Sequence, residues 1–202
     1  LPMHLFNSLS HCITFTPLAR FQMRVRARKM EQAIEVVGDV GCVYGSAVVG
    51  VGIEGGSVDD VRRGIGEGGV DLNGKVWGAG CSSIDYAIYC GDYDGVVSAL
   101  IECGADVNGT TGCLSGGGTY LHFAAFQGRS GVCSALIAAG VDVNGVNEDG
   151  DTALHWAAVM GQHGVCELLV GRGANVGAVN KDNNTAAAVA RRRGHEGVAA
   201  YL

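Results

Sequence analysis

Thr119 and Thr152 stand 33 residues apart, and the ten residues that begin at each can be laid over one another. The first stretch reads Thr119-Tyr120-Leu121-His122-Phe123-Ala124-Ala125-Phe126-Gln127-Gly128, the second Thr152-Ala153-Leu154-His155-Trp156-Ala157-Ala158-Val159-Met160-Gly161. Both run on into an apolar segment and a glycine exit: Val132-Cys133-Ser134-Ala135-Leu136-Ile137 before Gly140, and Val165-Cys166-Glu167-Leu168-Leu169-Val170 before Gly173. A chain that repeats itself at this interval builds small units, none of which can bury its apolar face alone, so they must stack into one continuous core. The repeat is therefore the frame in which every other motif has to be read.

It extends in both directions. Ser82-Ser83-Ile84-Asp85-Tyr86-Ala87-Ile88-Tyr89-Cys90-Gly91 takes the same ten positions, and its second helix ends in Gly104-Ala105-Asp106-Val107-Asn108, matching Gly140-Val141-Asp142-Val143-Asn144. A weaker copy precedes it, where Val58-Asp59-Asp60-Val61-Arg62-Arg63 leads to Gly69-Val70-Asp71-Leu72-Asn73, and Thr185-Ala186-Ala187-Ala188-Val189-Ala190-Arg191 opens one more. Each residue type has a task. A Thr or Ser at the start of the first helix can accept a hydrogen bond from an orphan backbone N–H. The Ala-Ala pair keeps that helix slim, so its partner packs closely. Gly128 and Gly161 leave the first helix, and Gly104, Gly140 and Gly173 the second, through the left-handed conformation that glycine adopts without steric cost. The Asp-Val-Asn that follows turns the chain outward.

This pattern resembles the ankyrin repeat. The resemblance implies an all-α repeat solenoid of stacked helix-turn-helix units with projecting hairpin fingers, whose fingertips and first helices line a concave groove that binds proteins. Five units are counted over residues 42–202, at 42–74, 75–109, 110–145, 146–179 and 180–202, the first degenerate and the last truncated. Residues 1–41 read as an extension, poorly ordered or weakly helical. Its first 29 residues weakly resemble an organellar presequence, the plainer readings being an unstructured tail or gene-model sequence upstream of Met30.

Departures from the family pattern carry expectations of their own. The Pro that follows the Thr in that family is Ser83, Tyr120, Ala153 and Ala186 here, so a rigid first-turn residue is missing throughout. The first unit carries Gly64, Gly66 and Gly68 in its second helix, each costing about 1 kcal/mol relative to Ala, and is expected to fray or to depend on its neighbour. The glycine-rich turn between Asn108 and Thr119 is longer than its counterpart between Asn144 and Thr152 and reads as a mobile finger.

Composition narrows the function. Residues 1–30 hold five basic residues and no acid, so a formal net charge of −6 leaves −11 for the remainder. An acidic array has no phosphate-tracking surface, and nucleic acid is not expected as a partner. Eight cysteines form no C-x-x-C pair, and Cys133 and Cys166 share one repeat position in an apolar helix, as buried reduced thiols do. That places the expectation in the cytoplasm or nucleus. The longest apolar-leaning uncharged stretch of the body, Val40–Ile53, falls short of the ~20 residues a spanning helix needs, so no membrane segment is expected.

With 34 glycines, chemistry-like spacings arise without chemistry. Gly50-x-Gly52-x-x-Gly55, after the strand-like Ala47-Val48-Val49, imitates a dinucleotide fingerprint, and Gly64-x-Gly66-x-x-Gly69 matches as well. Gly69 to Lys75 nearly completes a phosphate loop, but Val76 stands where a hydroxyl would ligate magnesium, and Gly104 to Gly109 and Gly140 to Gly145 repeat the spacing. His122 and His155 recur three residues after the Thr, which in ankyrin repeats is a structural hydrogen-bond position, while His163 and His195 read as solvated. Tyr86, Phe123 and Trp156 share another first-helix position and read as packing between units. No catalytic residue, cofactor or metal ligand is expected.

What remains is a non-enzymatic scaffold or adaptor, monomeric in itself, that binds another protein. Two alternatives stay open: a nucleotide- or dinucleotide-binding enzyme subunit using residues 50–75, and an adaptor fragment of a larger enzyme. By the resemblance, Trp77, Leu114, Ser115, Glu148, Asp149, Asp151, Lys181 and Asp182 fall on fingertips, and Tyr89, Phe126, Val159, Met160, Arg192 and Arg193 at first-helix ends. Trp77, Tyr89 and Phe126 are read as aromatic anchors, Glu148, Asp149 and Asp151 as acids that steer a basic partner, and Met160, Lys181 and Arg192 as further contacts.

Overall fold

The computed structural model describes residues 52–53, 55–66, 71–73, 82–90, 94–111 and 117–202. The chain divides into two compact units, one formed by residues 1–106 with 112–115, the other by 107–111 with 116–202.

In the first unit the described helices are α1 (Val58–Gly66), α2 (Ser83–Cys90) and α3 (Asp94–Glu102), with α1 and α2 both packed on α3. Val61, Ile84, Ile88, Val96 and Leu100 are buried between them. α1 runs through a buried Gly64 and ends at Gly66, and Gly68 lies outside the described residues. Gly52 lies so close to α1 that a Cβ there would sit 2.8 Å from the Val61 side chain and backbone. Gly52 and Ile53 are themselves helical, and Gly52 packs against α1. An exposed ion pair, Arg62 to Glu102 at 2.6 Å, also joins α1 to α3.

The second unit contains three helix pairs: α4 (Tyr120–Phe126) with α5 (Ser130–Ala138), α6 (Ala153–Val159) with α7 (His163–Gly171), and α8 (Ala186–Arg192) with α9 (Glu196–Tyr201). The first helices stack α4 on α6 on α8, and the second helices α5 on α7 on α9, which is the expected solenoid. Its core follows the repeat. Leu121, Leu136, Leu154 and Leu169 are fully buried, and such burial stabilises by about 1.5–3 kcal/mol each. Ala124, Ala125, Ala157 and Ala158 have no exposed surface, so the slim helix face is what admits the neighbour. Cys133 and Cys166 are buried in the stack, and burial pushes the Cys166 thiol pKa up to about 11.

Gly128 and Gly161 show why the first-helix exits favour glycine. Both have positive φ, +78° and +69°, and a Cβ would lie 2.5 Å from the Gln162 side chain at Gly128 and from the His195 ring at Gly161. Those two side chains stand one repeat apart. Gln162 Nε2 donates to the Phe126 carbonyl at 3.5 Å, and His195 Nε2 lies 3.1 Å from that of Val159, each tying a unit to the last residue of the preceding first helix. His195 is thus half-buried and bonded to main chain, a correction to its reading as solvated.

Candidate functional site

Fingers are built by the residues between helix pairs. Antiparallel bridges join Thr110 to Thr119, Val146 to Thr152 and Val179 to Thr185, so each finger closes on the threonine that opens the next first helix. Thr119 and His122 form a reciprocal capping box, as do Thr152 and His155. His122 Nδ1 lies 2.8 Å from the Thr119 hydroxyl and accepts the Thr119 N–H at 3.3 Å; its Nε2 lies 2.8 Å from the Asp151 carbonyl. A nitrogen that accepts a backbone N–H carries no proton, and one that faces a carbonyl must carry it, so the ring is the neutral Nε2–H tautomer. Burial pushes the His122 pKa below the usual histidine value, opposed by the bond to the Asp151 carbonyl. His155 repeats the arrangement one unit on, reaching the Asn184 carbonyl at 3.0 Å. Both imidazoles are occupied as struts that fix a finger over the preceding helix. Thr185 has Ala188 where the others have His, and its hydroxyl accepts the Ala188 N–H at 3.3 Å.

Fingertip shape depends on two asparagines. Asn147 Oδ1 accepts the N–H groups of Asp149 and Asp151 at 2.9 and 2.8 Å; Asn180 Oδ1 accepts those of Asp182 and Asn184 at 3.1 and 3.0 Å. The tip turns through Gly150 in one finger and Asn183 in the other, with φ of +75° and +57°. Asparagine is among the few residues with a Cβ that visit this region readily. The two fingers are joined sideways by Lys181 N–H to the Asp149 carbonyl at 3.0 Å and by Asn180 Nδ2 to Asp151 Oδ1 at 2.7 Å. Behind them, Asp142 and Asn175 accept the N–H two residues on at 2.9 and 3.0 Å, and Asn144 accepts the Asn175 N–H at 2.8 Å. Asp71 makes the same turn in the first unit, accepting the Asn73 N–H at 3.0 Å, so the apparent phosphate loop contains a repeat turn.

Glu148, Asp149, Lys181 and Asp182 are left exposed on adjacent tips. Asp151 is different, because its carboxylate is held by Asn180 and serves the finger itself. Phe126 is half-buried, its ring edge-on to Trp156 at 5.8 Å between centroids, with His122 on the same indole at 5.6 Å. Trp156 and Phe123 are buried, as packing between units requires. Met160 is 43% exposed beyond α6, and Arg192 and Arg193 are exposed at the end of α8. Trp77, Leu114 and Ser115 lie outside the described residues; Tyr89 falls in α2, its side chain outside the described set. The finger of residues 109–118 is described at its base alone, where Thr111 N–H donates to the Gly118 carbonyl at 2.8 Å.

Two features escaped the reading of the sequence. Asn147 and Asn180 carry the fingertips, and Val146 and Val179 stand 60% and 53% exposed on them. Both pairs are one repeat apart, and that interval was the available signal. Among the described residues no helix is long and apolar enough to cross a membrane, and no group of three His, Cys, Asp or Glu could hold a metal ion.

A family model described as ankyrin repeats, three copies, matches residues 84–180 and 121–202. No curated protein sequence matches the chain.

Proposed function

The chain belongs to the ankyrin repeat family, generally a protein-interaction module and typically non-catalytic, and from that premise we propose that it is a scaffold or adaptor binding one partner protein through its fingertips and concave groove. The observation that carries this reading is the division of labour within each finger. Main-chain and asparagine hydrogen bonds hold the shape, which leaves Glu148, Asp149, Lys181 and Asp182 exposed with their charged ends available. Met160 and Arg192 add an apolar and a basic contact on the helix side. Phe126 contributes as the half-buried edge of the Trp156 cluster more than as a projecting anchor.

Affinity capture with the full chain, read by mass spectrometry, tests the proposal. Glu148→Lys with Asp149→Lys on the tips, and Met160→Lys on the helix side, are the variants to compare, with Asp151 kept because Asn180 depends on it. Loss of the same protein from both variants, with circular dichroism unchanged, is the expected result. A partner set identical across all three proteins removes these surfaces from consideration.

A further inference from the structure

Resting on the interaction reading above, we infer that Thr110, Val146 and Val179 form a contact strip for an extended basic polypeptide segment that presents two apolar side chains about one repeat apart. The three residues occupy one position in successive fingers, each bridged to the threonine that opens the following helix. A β-branched residue suits the extended backbone there, which accounts for the shape of the side chain. It does not account for its polarity. Thr110 meets the same conformational need with a hydroxyl, whereas Val146 and Val179 leave 60% and 53% of their surface in water. The next most exposed large apolar side chains among the described residues, Met160 and Tyr201, reach 43%.

The strip is also fixed in place. Lys181 N–H to the Asp149 carbonyl and Asn180 to Asp151 lock the two valine-bearing fingers side by side, so little ordering remains to be done on binding. The first helices beneath them stack in sequence, and packed helices stand about 8–10 Å apart, which sets the interval between the valines at roughly that distance. An extended polyproline-type segment rises about 3.1 Å per residue with three residues per turn, so its residues i and i+3 share one face at a matching separation.

Charge identifies the kind of segment. Residues 142–151 and 175–184 contain Asp142, Glu148, Asp149, Asp151 and Asp182 against Lys181 alone. With the Asp151 carboxylate held by Asn180, the acids at 142, 148, 149 and 182 still outnumber the base, and all four are exposed on the segments that carry the valines. Two valines offer little area, so the acids must favour encounter with a positive partner while the valines set its register.

The experiment uses the full chain and three fluorescein-labelled synthetic peptides of equal positive charge: a lysine-rich polyproline-type peptide with leucines at i and i+3, one with the leucines adjacent, and one with serine in their place. The spaced peptide is expected to bind at least tenfold more tightly than the serine peptide, more weakly as salt rises. Val146→Thr with Val179→Thr, which copies Thr110, is expected to abolish the preference. Equal binding of the three peptides, a preference that survives the double variant, or no binding of any peptide overturns the proposal. If it is overturned while the charge reversals Glu148→Lys and Asp149→Lys still lose a captured protein, the interaction reading stands without this strip. If the preference holds while captured proteins are indifferent to the tip and helix-side variants, the strip stands and the groove does not.

Discussion

His122 does two opposite things at once, accepting at Nδ1 from the chain that begins its helix and holding Nε2–H against the Asp151 carbonyl of the next finger. A second proton on the ring would confront the Thr119 N–H, and burial already disfavours the charged form. The folded pKa therefore lies below the unfolded value of about 6.5. Above that pH both states hold the ring neutral and its stabilisation is complete; as pH falls below it, the unfolded chain takes up a proton that the folded chain resists, and stability declines. Thermal melts between pH 7.5 and 5 are expected to show a steeper loss for the native chain than for His122→Gln. Parallel curves would place the titration elsewhere. The glycines permit an equally local comparison. Gly161→Ala meets both a positive φ and the His195 ring, and is expected to cost more than about 1 kcal/mol. Gly164→Ala, in α7 with open space around it, is expected to gain about 0.4–1 kcal/mol. Urea unfolding of the two variants measures both signs.

At the scale of the element, the finger is the part whose making was least visible beforehand. Helices were legible because the Thr, the Ala-Ala pair, the apolar run and the exit glycine are side-chain signals at a fixed interval, and α4 to α7 follow them. Cys133, Cys166, Phe123 and Trp156 are buried for the same reason, since a position recurring in an apolar helix faces the stack. Fingers are held by bonds from one side chain to main-chain groups, such as Asn180 Oδ1 to the N–H groups of Asp182 and Asn184, and a main-chain partner leaves no mark in the sequence. Hence Asp151 looked like a free steering acid and His195 like a solvated ring, although each is committed within the array. Asn180→Ala removes the acceptor for two N–H groups and the donor to Asp151, and is expected to cost about 1–3 kcal/mol. Hydrogen exchange would locate the damage: faster exchange at Asp182 and Asn184 with α6 unchanged supports the assignment, whereas uniform acceleration would mean that the asparagine supports the whole unit.

For the molecule as a whole, the compact unit formed by residues 107–111 and 116–202 holds three helix pairs, and about three repeats are what such arrays need to be stable. A fragment spanning 107–202 is expected to give a single cooperative melt of its helical circular dichroism signal. A gradual, non-cooperative loss would show that the stack cannot sustain itself. The acidic balance of the array was legible from composition, whereas the finger valines were not, because apolar character says nothing about which side of a bridge meets water. The sideways bond from Lys181 to Asp149 runs between main-chain atoms. Its geometry is therefore indifferent to which side chains stand at 148, 149, 181 and 182, and exposed substitutions of this kind usually shift stability by no more than about 0.5 kcal/mol. The same scaffold can drift through many fingertip vocabularies while keeping its grammar, so a lineage could exchange one partner for another without refounding the fold.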